Sequence, residues 1–354
     1  MRIRRLLPVL LAVVAVLLTA CGSTGSDRPT GPAPQQSRPG VAWPAGLPAA
    51  DPVTCPAPTT TVGTAQELQA ALDAATPGTV IALADGTYDG RFTATTSGTA
   101  EKPIWLCGGA GAVLKGPGTD GGIVLHLQQV SDWRLVGFTV REGQKGVMAD
   151  GVTGSVVQGL TVTEIGDEGV HLRTASTGNV VRGLTISDTG LRTVKFGEGI
   201  YVGSAKSNWC QISDCGPDRS DHNVLVANTF SNTTAENIDI KEGTTGGVVA
   251  DNAFDGDGLA GEADSWVDVK GNGWLIQSNR GTDAGRTGFE VNEQATGWGT
   301  GNTFDANAAD VRADGYGYEL RRPTDEPGAG NRVLCTNTAT AAAAGLTNTT
   351  CTTS

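Results

Sequence analysis

Three stretches of this 354-residue chain set ionisable side chains in one repeated frame. They read Glu236-Asn-Ile-Asp-Ile-Lys-Glu242, Ser265-Trp-Val-Asp-Val-Lys-Gly271 and Thr287-Gly-Phe-Glu-Val-Asn-Glu293. Each alternates apolar with polar residues, the period of a strand with one buried face. The frame recurs as Glu168-Gly-Val-His-Leu-Arg173, Glu198-Gly-Ile-Tyr-Val-Gly203 and Gly317-Tyr-Glu-Leu-Arg321. If parallel strands stack at roughly 4.8 Å, equivalent positions become columns. Strand entry then holds Glu168, Glu198 and Glu236, and an outward column holds His171, Tyr201, Asp239, Asp268, Glu290 and Glu319. Arg173, Lys241, Lys270, Asn292 and Arg321 stand beside it.

Stacking Lys241 on Lys270, and Asp239 on Asp268, is unfavourable unless something binds there. The expectation is that one ammonium lowers the pKa of the other and supplies a base near neutrality. Glu198, Glu236 and Asp239 offer hard oxygen ligands suited to calcium. A cation beside such a base suits removal of the acidic proton next to a uronate carboxylate, followed by β-elimination. His171 beside Tyr201 forms a second candidate acid–base pair. Arg173, Glu290, Asn292 and Arg321, with Trp209 and Trp266, are the expected contacts to a polysaccharide.

Three other readings of the same residues stay open. The face could be solvated, its exposed ion pairs contributing about 0–1 kcal/mol each. Asp239 and Asp268 could be a glycosidase pair, at the roughly 5 Å separation of a retaining enzyme. A non-catalytic surface module could grip glycan through Trp209, Trp266, Tyr201 and Trp298. His126 and His222 read as structural.

The element that must carry these columns is one strand repeated at intervals of twenty to forty residues, a solenoid signature. A second series runs through Trp133–Val140, Ser155–Val162, Asn179–Ile186, His222–Phe230, Gly247–Phe254 and Gly273–Asn279, with Gly-Leu or Asn-x-Phe at each corner. Gly and Asn tolerate left-handed backbone, and stacked Asn side chains can hydrogen-bond from rung to rung. The reading is all-β, a single-stranded right-handed parallel β-helix; the uneven spacing disfavours a propeller. Thr64-Ala-Gln-Glu67 is a capping box opening a short helix that covers the first rung. The rung between Ile200 and Ile238 is the longest, and its Trp209–Cys210…Cys215 excursion is expected to rim the outward face.

Fifty-one glycines and few aromatics exclude a helical bundle, and a net charge of −12 argues against nucleic acid or an anionic membrane as partner. Arg2, Arg4 and Arg5 ahead of the apolar run Leu6–Leu18 read as a secretory signal, residues 1–20. Leu-Thr-Ala-Cys21 is similar to a bacterial lipobox, which would make Cys21 a lipid anchor to the outer face of the cell membrane. The Ser-, Gly- and Pro-rich residues 21–60 read as a disordered tether, and 61–354 as one β-helix domain. Setting Cys21 aside leaves six cysteines, paired by proximity as Cys210–Cys215, Cys335–Cys351 and Cys55–Cys107. Solenoids of this kind are usually monomers.

Pro77-Gly-Thr-Val-Ile-Ala-Leu-Ala-Asp-Gly-Thr-Tyr88 with Lys102-Pro-Ile-Trp-Leu106 resembles the opening of polysaccharide lyases of family six, which contains alginate lyases and chondroitinase B. Glu236-Asn-Ile-Asp-Ile-Lys241 resembles that family's Glu-x-Ile-x-x-Lys strand. The resemblance implies a calcium-assisted lyase acting on extracellular polysaccharide, with Lys241 the base and Glu236 a metal ligand. Two positions depart from the pattern: Lys270 stands where the family has arginine, and Thr234 where it has a second glutamate.

Overall fold

The computed structural model describes residues 41–260, 263–321 and 330–353. The chain coils through three parallel sheets, of eleven, ten and ten strands among the described residues. Each turn gives one strand to each sheet, which makes the fold a parallel β-helix. The inward residues fill one continuous core of Val, Ile, Leu and Phe that runs the length of the coil. Parallel strands buried behind such a core lose their apolar area to solvent along the whole solenoid rather than at one centre.

Sequence reading found two strands per rung where there are three. Asn179–Ile186, taken as one strand, is two, Val180–Arg182 and Thr185–Thr189. The break lies at Gly183, whose φ of +61° turns the chain inside an apolar run that periodicity reads straight through. In later rungs Ala227, Asp251, Ser278 and Ala306 adopt the same left-handed conformation without glycine. What holds them is the residue that follows. Asn228, Asn252, Asn279, Asn307 and Asn337 form a buried ladder, each Nδ2 donating to the next Oδ1 at 2.9–3.0 Å. Each ladder Oδ1 also accepts the backbone N–H of the preceding ladder residue. The corner asparagines expected from the sequence therefore do stack.

The helix Ala65–Asp73 caps the first rung. Thr64 accepts from the Glu67 N–H, and the Glu67 carboxylate accepts from the Thr64 N–H at 3.1 Å. Leu68 and Leu72 are buried beneath it. All three expected disulfides are present, Cys55–Cys107, Cys210–Cys215 and Cys335–Cys351.

Residues 41–59 correct the expected tether. Val41, Trp43, Leu47, Ala50 and Val53 pack on a stripe of outward valines that includes Val156, Val180, Val224 and Val248. Polar contacts fix the path: the Val41 N–H donates to Asp305 at 2.8 Å, the Trp43 indole to Gln277 at 3.1 Å, and the Val53 N–H to Gln158 at 2.8 Å. The strap thus runs against the direction of coiling, from late rungs to early ones. Its apolar residues are spaced too irregularly to show a period, and only the stacked stripe supplies their partner. Cys21 lies outside the described residues.

Candidate active site

The site lies on one of the ten-stranded sheets, across seven of its strands: Lys145–Asp150, Val170–Arg173, Ile200–Val202, Ile238–Ile240, Val267–Val269, Phe289–Asn292 and Tyr316–Arg321. Its register is the one the sequence frame implies: His171 pairs with Tyr201, Tyr201 with Asp239, Asp239 with Asp268, Asp268 with Glu290 and Glu290 with Glu319. Ile238, Val267 and Phe289 alternate with them and are fully buried in the core. A groove of about 780 Å³ runs over this column. Val194–Phe196 and Ala205, Ser207 and Asn208 line it, as do Arg173 at one end and Arg321 at the other.

The two lysines do not crowd one another. Carboxylates stand between them: Asp239 Oδ2 lies 2.6 Å from Lys241 Nζ and its Oδ1 lies 2.8 Å from Lys270 Nζ. Lys270 also contacts Asp268, whose other oxygen accepts from Asn292 Nδ2 at 2.9 Å. Burial disfavours the Lys270 ammonium, but Asp239, Asp268 and Glu236 outweigh it and hold its pKa well above the ordinary lysine value. The expected base of lowered pKa is therefore not found at Lys270, which is a locked counter-ion. Burial likewise opposes ionisation of Asp239, yet Lys241 and Lys270 keep it below the usual range.

Around this ion-paired centre three carboxyls carry protons too tightly for their type. Burial, then repulsion from Asp239 and Glu168, drives Glu198 well above the ordinary value. Burial and Asp239 push Glu236 up to about 7, and burial with Asp268 raises Glu290. Carboxylate oxygens of Glu198, Glu236 and Asp239 lie within 4.8 Å of one another, as do those of Glu236, Asp268 and Glu290. Glu198 Oε2 is buried with no hydrogen-bond partner. A cluster of buried carboxyls that must be neutralised, one of them with an oxygen lacking any hydrogen-bond partner, fits a hard divalent cation.

Tyr201 faces the groove between His171 and Lys241. Its ring meets His171 edge-on at 4.4 Å, and Lys241 Nζ lies 5.0 Å from the ring centroid. Burial, then Asp239 and Glu198, raises the phenol well above its usual pKa, so it stays protonated. His171 is committed elsewhere: its Nε2 bonds the Gly203 carbonyl oxygen at 2.9 Å, and Nδ1 faces Glu168 Oε1 at 3.5 Å. Glu168 is held at about 2, the cost of its burial overcome by His171 and Lys145.

Not every expected contact reaches the groove. Trp266 is wholly in the core, where its ring fills space left by Gly281 and Gly288 and its Nε1 donates to the Thr282 carbonyl at 3.0 Å. It precedes the strand at a corner, so its side chain turns inward. Trp209 is also buried, donating to the Ser204 carbonyl at 2.9 Å; it anchors the disulfide-tied loop rather than touching substrate. Arg173, Asn292, Glu290 and Arg321 do line the groove. Arg173 pairs with Asp150, and Arg321 bridges Asp264 and Glu290 at 2.7 and 3.0 Å. Sequence reasoning missed Lys145, Arg192 and Lys195, which also line it. Arg192 and Lys195 come from a corner loop outside the repeated strand, and Lys145 precedes the first rung in which the frame is complete.

No protein-family model matches the chain, and neither does any curated protein sequence. Solved structures do match. A pectate lyase, Pel9A, shares the fold at TM-score 0.52 and 15% identity over 77% of this chain and 72% of that one. A rhamnogalacturonan lyase does so at TM-score 0.51 and 12% identity, over 78% and 80%. The coil is that of a pectate-lyase-like parallel β-helix. An alginate lyase from Paenibacillus sp. strain FPU-7 matches at TM-score 0.74 and 36% identity, over 82% of this chain and 98% of that one. The chain belongs to the polysaccharide-lyase family of that enzyme, and it is a polysaccharide lyase.

Proposed function

We propose that this lyase cleaves a uronate-containing polysaccharide, with alginate the foremost candidate, by β-elimination at the Tyr201–Lys241 end of the groove. The observation that carries the reading is the pairing itself: Lys241 Nζ lies 5.0 Å from the centroid of the Tyr201 ring, both side chains line the groove, and the carboxyls beside them reject further negative charge unless neutralised. Lys241, in its neutral amine form after releasing to solvent the proton it otherwise holds against Asp239, takes the proton from C5 of the uronate. The released pair forms the C4–C5 double bond and the C4–O bond breaks. Tyr201, held in its phenol form, gives its proton to the departing oxygen. Arg173, Asn292 and Arg321 orient the chain along the sheet.

Glu198, Glu236 and Asp239 would hold calcium. A bound cation there supplies neutralisation of the uronate carboxylate and of the enolate that develops from it. The leader and Cys21 support secretion and lipid anchoring outside the cell. A glycosidase pair at Asp239 and Asp268 has little support, since both carboxylates close on the Lys270 ammonium and Asp239 is kept ionised.

The test is direct. Soluble protein is incubated with alginate, pectate and glycosaminoglycans, with and without EDTA, and ultraviolet absorbance of unsaturated ends is followed. Lys241→Ala and Tyr201→Phe should each lose about 10²–10⁴-fold in kcat, with the wild-type Tm kept in Tyr201→Phe and lowered in Lys241→Ala, which takes one of its two ammoniums from Asp239. Reducing ends without unsaturation would sink the elimination reading, and full activity in EDTA would sink calcium.

A further inference from the structure

Three large apolar side chains stand exposed among the described residues, Leu191 at 53%, Val194 at 46% and Phe196 at 44%, all within six consecutive positions. A random scatter would need no explanation, but a cluster does. The segment forms a lip on the groove, which Val194, Lys195 and Phe196 line alongside Tyr201 and Lys241. It is pinned in place. Thr189 Oγ1 donates to the Gly197 carbonyl at 2.6 Å, Thr234 Oγ1 to the Val194 carbonyl at 2.8 Å, and Arg192 Nε to Asp167 at 3.0 Å. Gly190 enters the lip at φ +78°, and any Cβ there would run into Thr234.

Lys195 is the second observation. Lys145, Arg173, Arg192, Lys241, Lys270 and Arg321 on the groove each close on a carboxylate. Lys195 is exposed and has no ion pair among the described residues. A protein of net charge −12 repels a polyanion, so an unspent cation at the groove's edge is placed to do what the neutralised floor does not.

We infer that the Leu191–Phe196 lip is a substrate-holding subsite that engages a sugar away from the bond being cleaved. Phe196 lies against the apolar face of one pyranose, and Lys195 pairs with that sugar's carboxylate. This rests on the uronan-lyase reading for its ligand, and it makes the enzyme prefer long polyuronates over short ones. Binding energy taken up at a remote sugar lowers KM for the polymer without entering the chemical step.

Phe196→Ala and Lys195→Gln are compared with wild type on polymeric alginate and on the shortest oligomer that is cut. Mobility in native gels cast with alginate, pectate or neutral dextran is read in parallel. Both side chains are exposed, so an unchanged Tm is expected and checks folding. On the polymer KM should rise about tenfold for either variant, as for loss of one anchoring residue, with kcat held and the oligomer unaffected. Gel retardation by polyuronates, not by dextran, should weaken in step. Equal effects on polymer and oligomer, or none, overturn the lip as a subsite while leaving the lyase intact. Retardation that depends on the lip without any unsaturated product would instead overturn the reaction and keep the subsite. If either variant turns an oligomer into a monomer on size-exclusion chromatography, the lip is a contact between copies and the inference fails.

Discussion

Glu236 shares its carboxylate between two clusters, and burial with Asp239 pushes its pKa to about 7, against an ordinary 4.5. In that window the folded protein keeps a proton that the unfolded chain has released. Stability therefore falls as pH rises from about 4.5 to about 7 and levels off above it, by up to about 3 kcal/mol from this group. Glu236→Gln should flatten the slope and raise Tm at pH 8 more than at pH 5. Calcium, which takes the ionised form, should raise the wild-type Tm in the same order. Thermal melts at the two pH values check this, and an unchanged slope in the variant would exclude Glu236 as its source. Glu168 has the opposite sign: held at about 2, it contributes stability above about 4.5 that is lost as pH falls. The outward column was legible in the sequence because strand side chains repeat every second residue. The charge states were not, because they depend on which carboxylate stands between which ammoniums.

Strands and corners share the task of keeping these columns vertical. The asparagine ladder is where a local change should cost most. Asn279 accepts from Asn252 N and Nδ2 at 2.9 Å, and donates to Asn307 Oδ1 and the Val249 carbonyl at 2.9 Å. Asn279→Ala leaves those buried groups unpaired and should cost about 2–4 kcal/mol in urea denaturation, with the site chemistry retained at low denaturant. A loss below 0.5 kcal/mol would mean the ladder is ornamental. Corner Gly and Asn announced the turns, yet the third sheet went unseen because Gly183 bends a run that reads as one apolar strand. Trp266 misled for a related reason, since a corner residue does not obey the strand's alternation.

For the whole molecule the strap of residues 41–59 covers an apolar stripe on the outside of the coil. Removing 41–53 uncovers Val156, Val180, Val224 and Val248 on a sheet face that the strap otherwise shields. Such a variant should aggregate or bind a hydrophobic dye while a protein beginning at residue 40 stays monodisperse. Light scattering distinguishes the two, and identical behaviour would deny the strap a covering role.

Repetition is what the sequence by itself determined: a strand frame recurring through Glu168, Glu198, Glu236, Ser265 and Thr287 can bury its apolar face only by stacking on its own next turn. That fixed the coil and the outward column, while a capping box announced the helix and closeness along the chain suggested the cysteine pairs. Tertiary structure alone decided that Lys270 is locked between Asp239 and Asp268, that Trp266 fills the core, and that an exposed lip overhangs the groove. Those outcomes depend on distances across rungs and on the paths of corner loops, and neither is encoded in the spacing of residues along one strand.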